Sequence, residues 1–376
     1  MNQHNADFEP IWAAGFMSGT SLDAVDAALI LTDGVDVLEF GPVAERKYTS
    51  DERRILRDAV DAARRWNWTG PVPQAAFEAA EWILNETHAD AWDELLAAWN
   101  GPQPYIAGVH GQTVLHRAPK KGQSGATLQL LDATGLRERL NVQLAYDFRS
   151  NDVAHGGQGA PLAPAYHAAL LRGLGRGESS AVLNLGGVAN ITYRKSDGSL
   201  FAFDTGPANG PIDEWVEGHE AGTHDAGGKL AAAGRVHEGA LTQWMAHPWF
   251  DETPPKSLDR FDFNASLARG LSLEDGAATL TAFSAEAVAH ALRGLEEQPG
   301  QVIVCGGGRH NPQLLHELRA RLGCRVMTAE DVGWLGDSSE AQAFAFLAVR
   351  TLRDLPISWP GTTAVNQPMT GGRRLA

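Results

Sequence analysis

The sequence predicts an α/β protein of two similar halves facing each other across a cleft, and three observations predict it. Its 376 residues, 43% of them hydrophobic and 20% charged, suffice for two packed cores at roughly 150 residues per domain. Short apolar runs of strand length alternate with helical periodicities along the whole chain. The opening pattern, two apolar runs around a turn of small residues, returns near residue 180. The halves are expected at 1–150 and 151–376, with the last segment, 338–376, placed to pack back on the first half.

Each element follows from local pattern. Ile11–Met17 and Asp26–Leu31 flank Ser18-Gly19-Thr20-Ser21 and read as a hairpin. Ile55, Leu56, Ala59, Val60 and Ala63 recur at three and four residues, predicting a helix over 51–66. The same spacing from Phe77 through Leu84, Trp92 and Leu95 to Trp99 predicts a second over 74–99. Tyr105–Val109 reads as a strand ending in His110-Gly-Gln-Thr113, and Val142–Tyr146 as a strand ending in Asp147-Phe-Arg149. The Gly- and Pro-dense stretch 154–164 marks a boundary or an active-site loop.

Strands then return at 181–185, before Gly186-Gly187, at 189–193 and at 200–203, before Asp204-Thr205-Gly206-Pro207. A helical stretch near 275–297 leads to strand Val302–Cys305, the run Gly306-Gly307-Gly308 and a helix from Pro312. A last helix is expected over 338–354, with Ser338 or Ser339 as its N-cap.

Composition narrows the function. Lys and Arg number 31 against 46 Asp and Glu, a formal net charge of −15, which argues against a nucleic-acid coat or an anionic-membrane binder. Cys305 and Cys324 make no disulfide framework and have no zinc spacing. A reduced, cytoplasmic setting is expected. Residues 1–12 lack a basic region before an apolar run, so no signal peptide is expected, and no apolar run reaches 18 residues.

Backbone N–H groups hold phosphate where small residues allow close approach. The turns at Ser18–Ser21, Gly186-Gly187 and Gly306–Gly308 all offer this, two of them opening the two halves, and together they suggest a nucleotide clamp. A P-loop, a G-x-G-x-x-G turn after the first strand and a G-x-S-x-G elbow are all missing. Phosphoryl transfer also needs carboxylates. Asp23 and Asp26 follow the first turn, and Asp204 ends a strand after Phe-Ala-Phe, where a carboxylate needs a reason. His110, Gln112, Thr113 and Gln158 carry amide, hydroxyl and imidazole groups suited to a sugar.

Eight segments in order carry a resemblance. They are Gly15–Asp23, His110–Thr113, Asp147–Arg149, Gly156–Leu162, Asn184–Gly187 with Asn190, Phe203–Pro207 with Asn209, Pro255–Ser257 and Cys305–Gly308. The chain resembles, over about residues 12–350, the bacterial anhydro-N-acetylmuramic acid kinases, of the superfamily of sugar kinases, actin and heat-shock ATPases. The resemblance implies a two-domain actin-like ATPase (ribonuclease H-like) fold with an interdomain nucleotide cleft. It implies hydrolysis of the 1,6-anhydro bond and phosphorylation of the freed 6-hydroxyl by ATP, in peptidoglycan recycling.

Residue by residue, Asp204 is then the general base toward water. ATP falls to Gly19, Thr20, Ser21, Leu22, Asp23, Ala24, Val25 and Asp26, to Gly186 and Gly187, and to Gly306, Gly307 and Gly308. The anhydro-amino sugar falls to His110, Gln112, Thr113 and Gln158. Mg2+ is implied through water near Asp23 and Asp204, and a homodimer is implied as well. Ala24 and Ala208 stand where the family usually has Gly, Leu131 where Gly is often found, and Asn151 where a basic residue is common. An ordinary sugar kinase, with Asp204 deprotonating a substrate hydroxyl, and a nucleotide-driven switch are the competing readings.

Overall fold

The computed structural model describes residues 8–120, 122–175, 179–259 and 262–376. The chain divides into two compact units, Met1–Gly173 with Ser338–Ala376, and Leu174–Asp337. In the first unit, β1 (Ile11–Ser18), β2 (Ala24–Thr32) and β3 (Val37–Lys47) precede α1 (Ser50–Trp66) and α2 (Gln74–Ala97). There follow β4 (Ile106–Arg117), β5 (Ala126–Leu130), α3 (Ala133–Leu140), β6 (Gln143–Tyr146), α4 (Ser150–Ala154) and α5 (Pro164–Gly173). The second unit holds β7 (Ser180–Leu185), β8 (Val188–Arg194), β9 (Leu200–Pro207), α6 (Asn209–Gly218), α7 (Lys229–Ala233) and α8 (Glu238–Met245). It ends with α9 (Leu273–Arg293), β10 (Gln301–Cys305), α10 (Pro312–Arg321) and β11 (Arg325–Thr328). The chain then returns to the first unit as α11 (Ser339–Leu352), α12 (Pro360–Thr363) and β12 (Arg373–Leu375).

Both sheets share one topology. The first runs β3-β2-β1-β4-β6-β12, with β5 added to β4, and the second runs β9-β8-β7-β10-β11. In each, the first three strands form an antiparallel meander and the fourth lies parallel to the first. The fifth strand, β6 or β11, continues parallel to the fourth. This order, repeated in two units, is the duplicated ribonuclease H-like fold of actin-like ATPases, as the resemblance implies.

The division falls after Gly173 rather than at 150, because residues 150–173 are bonded to their own unit. Buried Asp152 accepts from the hydroxyls of Ser358 and Thr363, and Tyr166 of α5 donates to Gln342 of α11 at 2.6 Å. The 154–164 stretch is therefore a loop of the first unit. β4 also continues to Arg117, so His110–Thr113 lie within a strand, with β5 paired beside them. Ser338 is the N-cap of α11, by backbone placement alone and without a side-chain bond.

Helix α11 packs flush on the first sheet through two glycines. A Cβ at Gly15 would stand 2.0 Å from Ala341 O, and one at Gly108 would stand 2.1 Å from Phe344 O. The helix meets this face with alanines at 341, 345 and 348, all buried. A side chain at either glycine must push the helix off the sheet, because the atom it meets is backbone. Gly108→Val is expected to lose at least about 3 kcal/mol, at the upper end for overpacking, and roughly 6–12 °C in melting temperature. Thermal unfolding of the purified variant checks this.

Candidate active site

In the second unit, the turn between β7 and β8 is closed by the start of α6. Gly186 O accepts from Asn209 N at 2.9 Å, and Gly187 O from Ala208 N and Gly210 N at 3.0 and 3.1 Å. The run after β10 settles on the same corner. Gly306 has φ +75°, and a Cβ there would meet Asn184 Oδ1 at 2.4 Å, while one at Gly308 would meet Leu185 Cβ at 2.6 Å. Sequence-distant Gly186-Gly187 and Gly306–Gly308 thus converge, with the N-terminus of α6 beside them, its first N–H groups spent on the Gly186 and Gly187 carbonyls. Arg309, almost fully buried, bonds Gly306 O at 3.0 Å and pairs with Glu330 and Asp337 at 2.8 and 2.7 Å, fixing this turn.

Asp204 sits in β9 opposite Asn190, where the register shifts. The segment 255–258 grips it twice: Asp204 N donates to Lys256 O at 2.9 Å, and Leu258 N donates to Asp204 Oδ2 at 2.8 Å. Burial pushes its carboxyl up to about 6, with the Leu258 N–H pulling the other way. A carboxylate so placed accepts a proton readily near neutral pH.

In the first unit, the β1–β2 turn exposes Thr20, Ser21 and Asp23, while Gly19 is half-buried. Leu22, at φ +58°, Ala24 and Val25 are buried, so any ligand contact there is made by main chain. Asp26 lies within β2. Neither Ala24 nor Ala208 takes a positive φ. Ala24 pairs with Lys47 in the β2–β3 ladder, and Ala208 has φ −129°.

Gln112 is bonded within its own unit. It is 1% exposed; its Oε1 accepts from Ser18 Oγ at 2.6 Å and its Nε2 donates to Gly19 O at 3.3 Å. Its amide is bonded to Ser18 and Gly19 and supports the turn after β1, because β1 and β4 are paired and Ser18 faces Gln112 across them. Removing a buried partner of this kind costs about 1–3 kcal/mol. Gln112→Ala is therefore expected to raise the nucleotide KM about 5–20-fold and leave the sugar KM unchanged in steady-state kinetics.

His110 is buried and neutral, its pKa held well below the ordinary imidazole value by burial and by Arg149. Its Nε2 accepts from Arg149 Nε at 3.1 Å, and Thr113 Oγ1 stands 3.4 Å from the same nitrogen. Gln158 N donates to Thr363 O at 2.7 Å, and Gly159 O accepts from Arg149 Nη1 at 2.8 Å. His110, Thr113, Arg149 and the 156–159 loop therefore form one group.

Sequence reasoning quoted Arg149 only as part of a motif. Burial pulls its pKa down to about 10, so it is a cation at neutral pH, and its side-chain bonds above go to neutral acceptors. Glu340, at the start of α11, and Asp152 are charges that act on it, both favouring its cationic form. A basic residue just past a strand end, beside a Gly-rich loop, was the available signal.

Among the described residues no three His, Cys, Asp or Glu side chains gather as a metal cage. Asp23 is largely exposed and meets Arg53 Nη2 at 3.3 Å. Single hard carboxylates such as Asp23 and Asp204 suit Mg2+, which keeps its waters and takes other oxygens from substrate phosphates. Among the described residues no helix is long and apolar enough to cross a membrane.

The model of the family described as anhydro-N-acetylmuramic acid kinase matches residues 12–374. An anhydro-N-acetylmuramic acid kinase of Rhizobium rhizogenes is 52% identical over 368 residues, covering 97% of this chain and 99% of that protein. One of Mesorhizobium japonicum is 49% identical over 368 residues, with the same coverage. Among solved structures, a ROK family glucokinase from Streptomyces griseus with glucose and AMPPNP aligns at TM-score 0.38 and 13% identity, covering 90% of this chain and 99% of that one.

Proposed function

Because this chain belongs to the anhydro-N-acetylmuramic acid kinase family, we propose that it hydrolyses the 1,6-anhydro ring of its sugar and phosphorylates the freed 6-oxygen with ATP. The products are N-acetylmuramic acid 6-phosphate and ADP. The observation that carries the reading is Asp204, a partly buried carboxylate held by main chain at both its N–H and its Oδ2 and raised toward neutrality.

Asp204 takes a proton from water as the water oxygen bonds to the anomeric carbon. The bond from that carbon to the 6-oxygen breaks, the 6-oxygen bonds to the γ-phosphorus, and ADP leaves. The N–H groups of Gly19–Ser21, with Asp23 and Asp26 beside them, and those of Gly186-Gly187 and Gly306–Gly308 receive the nucleotide. Such donors stabilise charge that spreads over phosphoryl oxygens during transfer. Asp23 and Asp204 would hold Mg2+ through water, and the ion would neutralise phosphate charge.

His110, Thr113 and Gln158 take the sugar. Arg149 takes its lactyl carboxylate, since its direct hydrogen bonds go to neutral acceptors and leave the guanidinium able to bond an anion. Gln112, Leu22, Ala24 and Val25 act from beneath as support. A homodimer in the cytoplasm completes the proposal.

The test is ADP release with the anhydro sugar in ¹⁸O-labelled water. Sugar-dependent ADP with one labelled anomeric oxygen, above the level reached by exchange of the finished product, is expected. ADP release equal to the sugar-free blank would overturn the reading.

A further inference from the structure

Lys256 is an unusual residue to bury. It is 8% exposed and stands in an aromatic neighbourhood, its Nζ lying 4.1 Å from the centre of the Trp249 ring. Burial lowers its pKa, against the raising effect of Glu252 and Asp251. A buried ammonium costs several kcal/mol unless it is bonded. Here the bonds go to backbone: Nζ donates to Trp249 O and to Phe250 O, each at 2.9 Å. The Trp249 indole returns a bond to the same segment, its Nε1 donating to Ser257 O at 3.2 Å.

The two strands of chain, 249–250 and 256–257, are thus clasped through three side-chain bonds. The opposite edge of the clasped segment is the pair of groups that hold Asp204, namely Lys256 O and Leu258 N. Trp249 and Phe250 are themselves fixed in a cluster with Phe263 and Phe283. Rigidity therefore passes from the aromatic cluster, through the ammonium, to the main chain that aims the carboxylate.

We propose that Lys256 is a positioning residue for the reaction, setting the orientation of Asp204 through the 255–258 backbone and touching neither substrate. The inference rests on the reading of Asp204 as general base. A base displaced by a fraction of an ångström loses rate while the ligand sites stay whole. Lys256→Met keeps an unbranched apolar stem one atom shorter but removes the ammonium that bonds both carbonyls. Its kcat is expected to fall about 30-fold, with the KM for sugar and for ATP within about twofold, because the geometry affected is that of proton transfer. Lys256→Arg, which retains donors for both carbonyls, is expected to recover most of that rate.

Amide hydrogen exchange supplies a readout independent of turnover. The Leu258 N–H, protected by Asp204 Oδ2, is expected to exchange faster in Lys256→Met and near the native rate in Lys256→Arg. Trp249→Phe, which removes the indole donor to Ser257 O, is expected to accelerate the same exchange and serves if Lys256→Met does not fold. Native kcat and native exchange at Leu258 in Lys256→Met, alongside an inactive Asp204→Asn, would overturn the role of Lys256 and leave that of Asp204 standing. Native turnover in Asp204→Asn would instead overturn the premise, whatever the lysine variants do.

Discussion

Asp204→Asn is expected to lose turnover by about three orders of magnitude or more, while ATP binding stays within a few-fold. The amide is isosteric and can keep the Leu258 N–H as a donor to its carbonyl oxygen, so the local frame persists. It cannot accept a proton from water. The same carboxylate sets a pH dependence. Its pKa is raised to about 6 by burial, and only the ionised form is competent, so activity rises with pH through that value and levels off above it. Below about pH 6, kcat/KM is expected to fall close to tenfold per unit. A rate that holds level down to about pH 4 in buffers where the protein stays folded would remove Asp204 from the role of base. Isothermal titration with a non-hydrolysable ATP analogue separates lost chemistry from lost binding.

The second large effect concerns Arg149. Charge-assisted bonds contribute about 1.5–3 kcal/mol each, and the guanidinium also organises His110 and Gly159. Arg149→Met is expected to raise the sugar KM about 100-fold, with the nucleotide KM near native. The sharper comparison uses the 1,6-anhydro sugar that lacks the lactyl ether. Native enzyme is expected to bind it poorly, and Arg149→Met to bind both sugars alike. Equal discrimination by native and variant proteins would show that the carboxylate is read elsewhere.

Much of the fold was legible because its signals are local. The hairpins around Ser18–Ser21 and Gly186-Gly187 announce themselves by small residues between β-rich runs, and α1, α2 and α9 by spacing. β3 was missed because it is an edge strand: Glu39, Gly41, Pro42 and Glu45 interrupt any alternation, and only pairing with β2 makes it a strand. β12, three residues long, exists only by its pairing with β6. The unit boundary was misplaced for a similar reason, since what binds 150–173 to the first unit is Asp152 reaching Ser358 and Thr363, contacts more than 200 residues apart in sequence. At the site, the glycine turns and Asp204 could be read from residue type. The inward turn of Gln112 could not, since it depends on β1 and β4 lying side by side. Nor could the importance of Lys256, which is set by carbonyls of residues that carry no motif.

The interrupted course of the first unit has a consequence for how the protein is made. Its sheet is started by β1, yet the helix that covers Gly15 and Gly108 comes after Asp337. At about 5–20 residues per second, a ribosome spends on the order of ten seconds or more on the second unit before α11 is available. For that interval the first sheet waits with one face bare, while the second unit can close around its own core. The unit begun first is completed last. Any chaperone that attends this nascent chain therefore has a defined client, the uncovered face of β1 and β4, and a defined moment of release, the emergence of the alanine-rich helix.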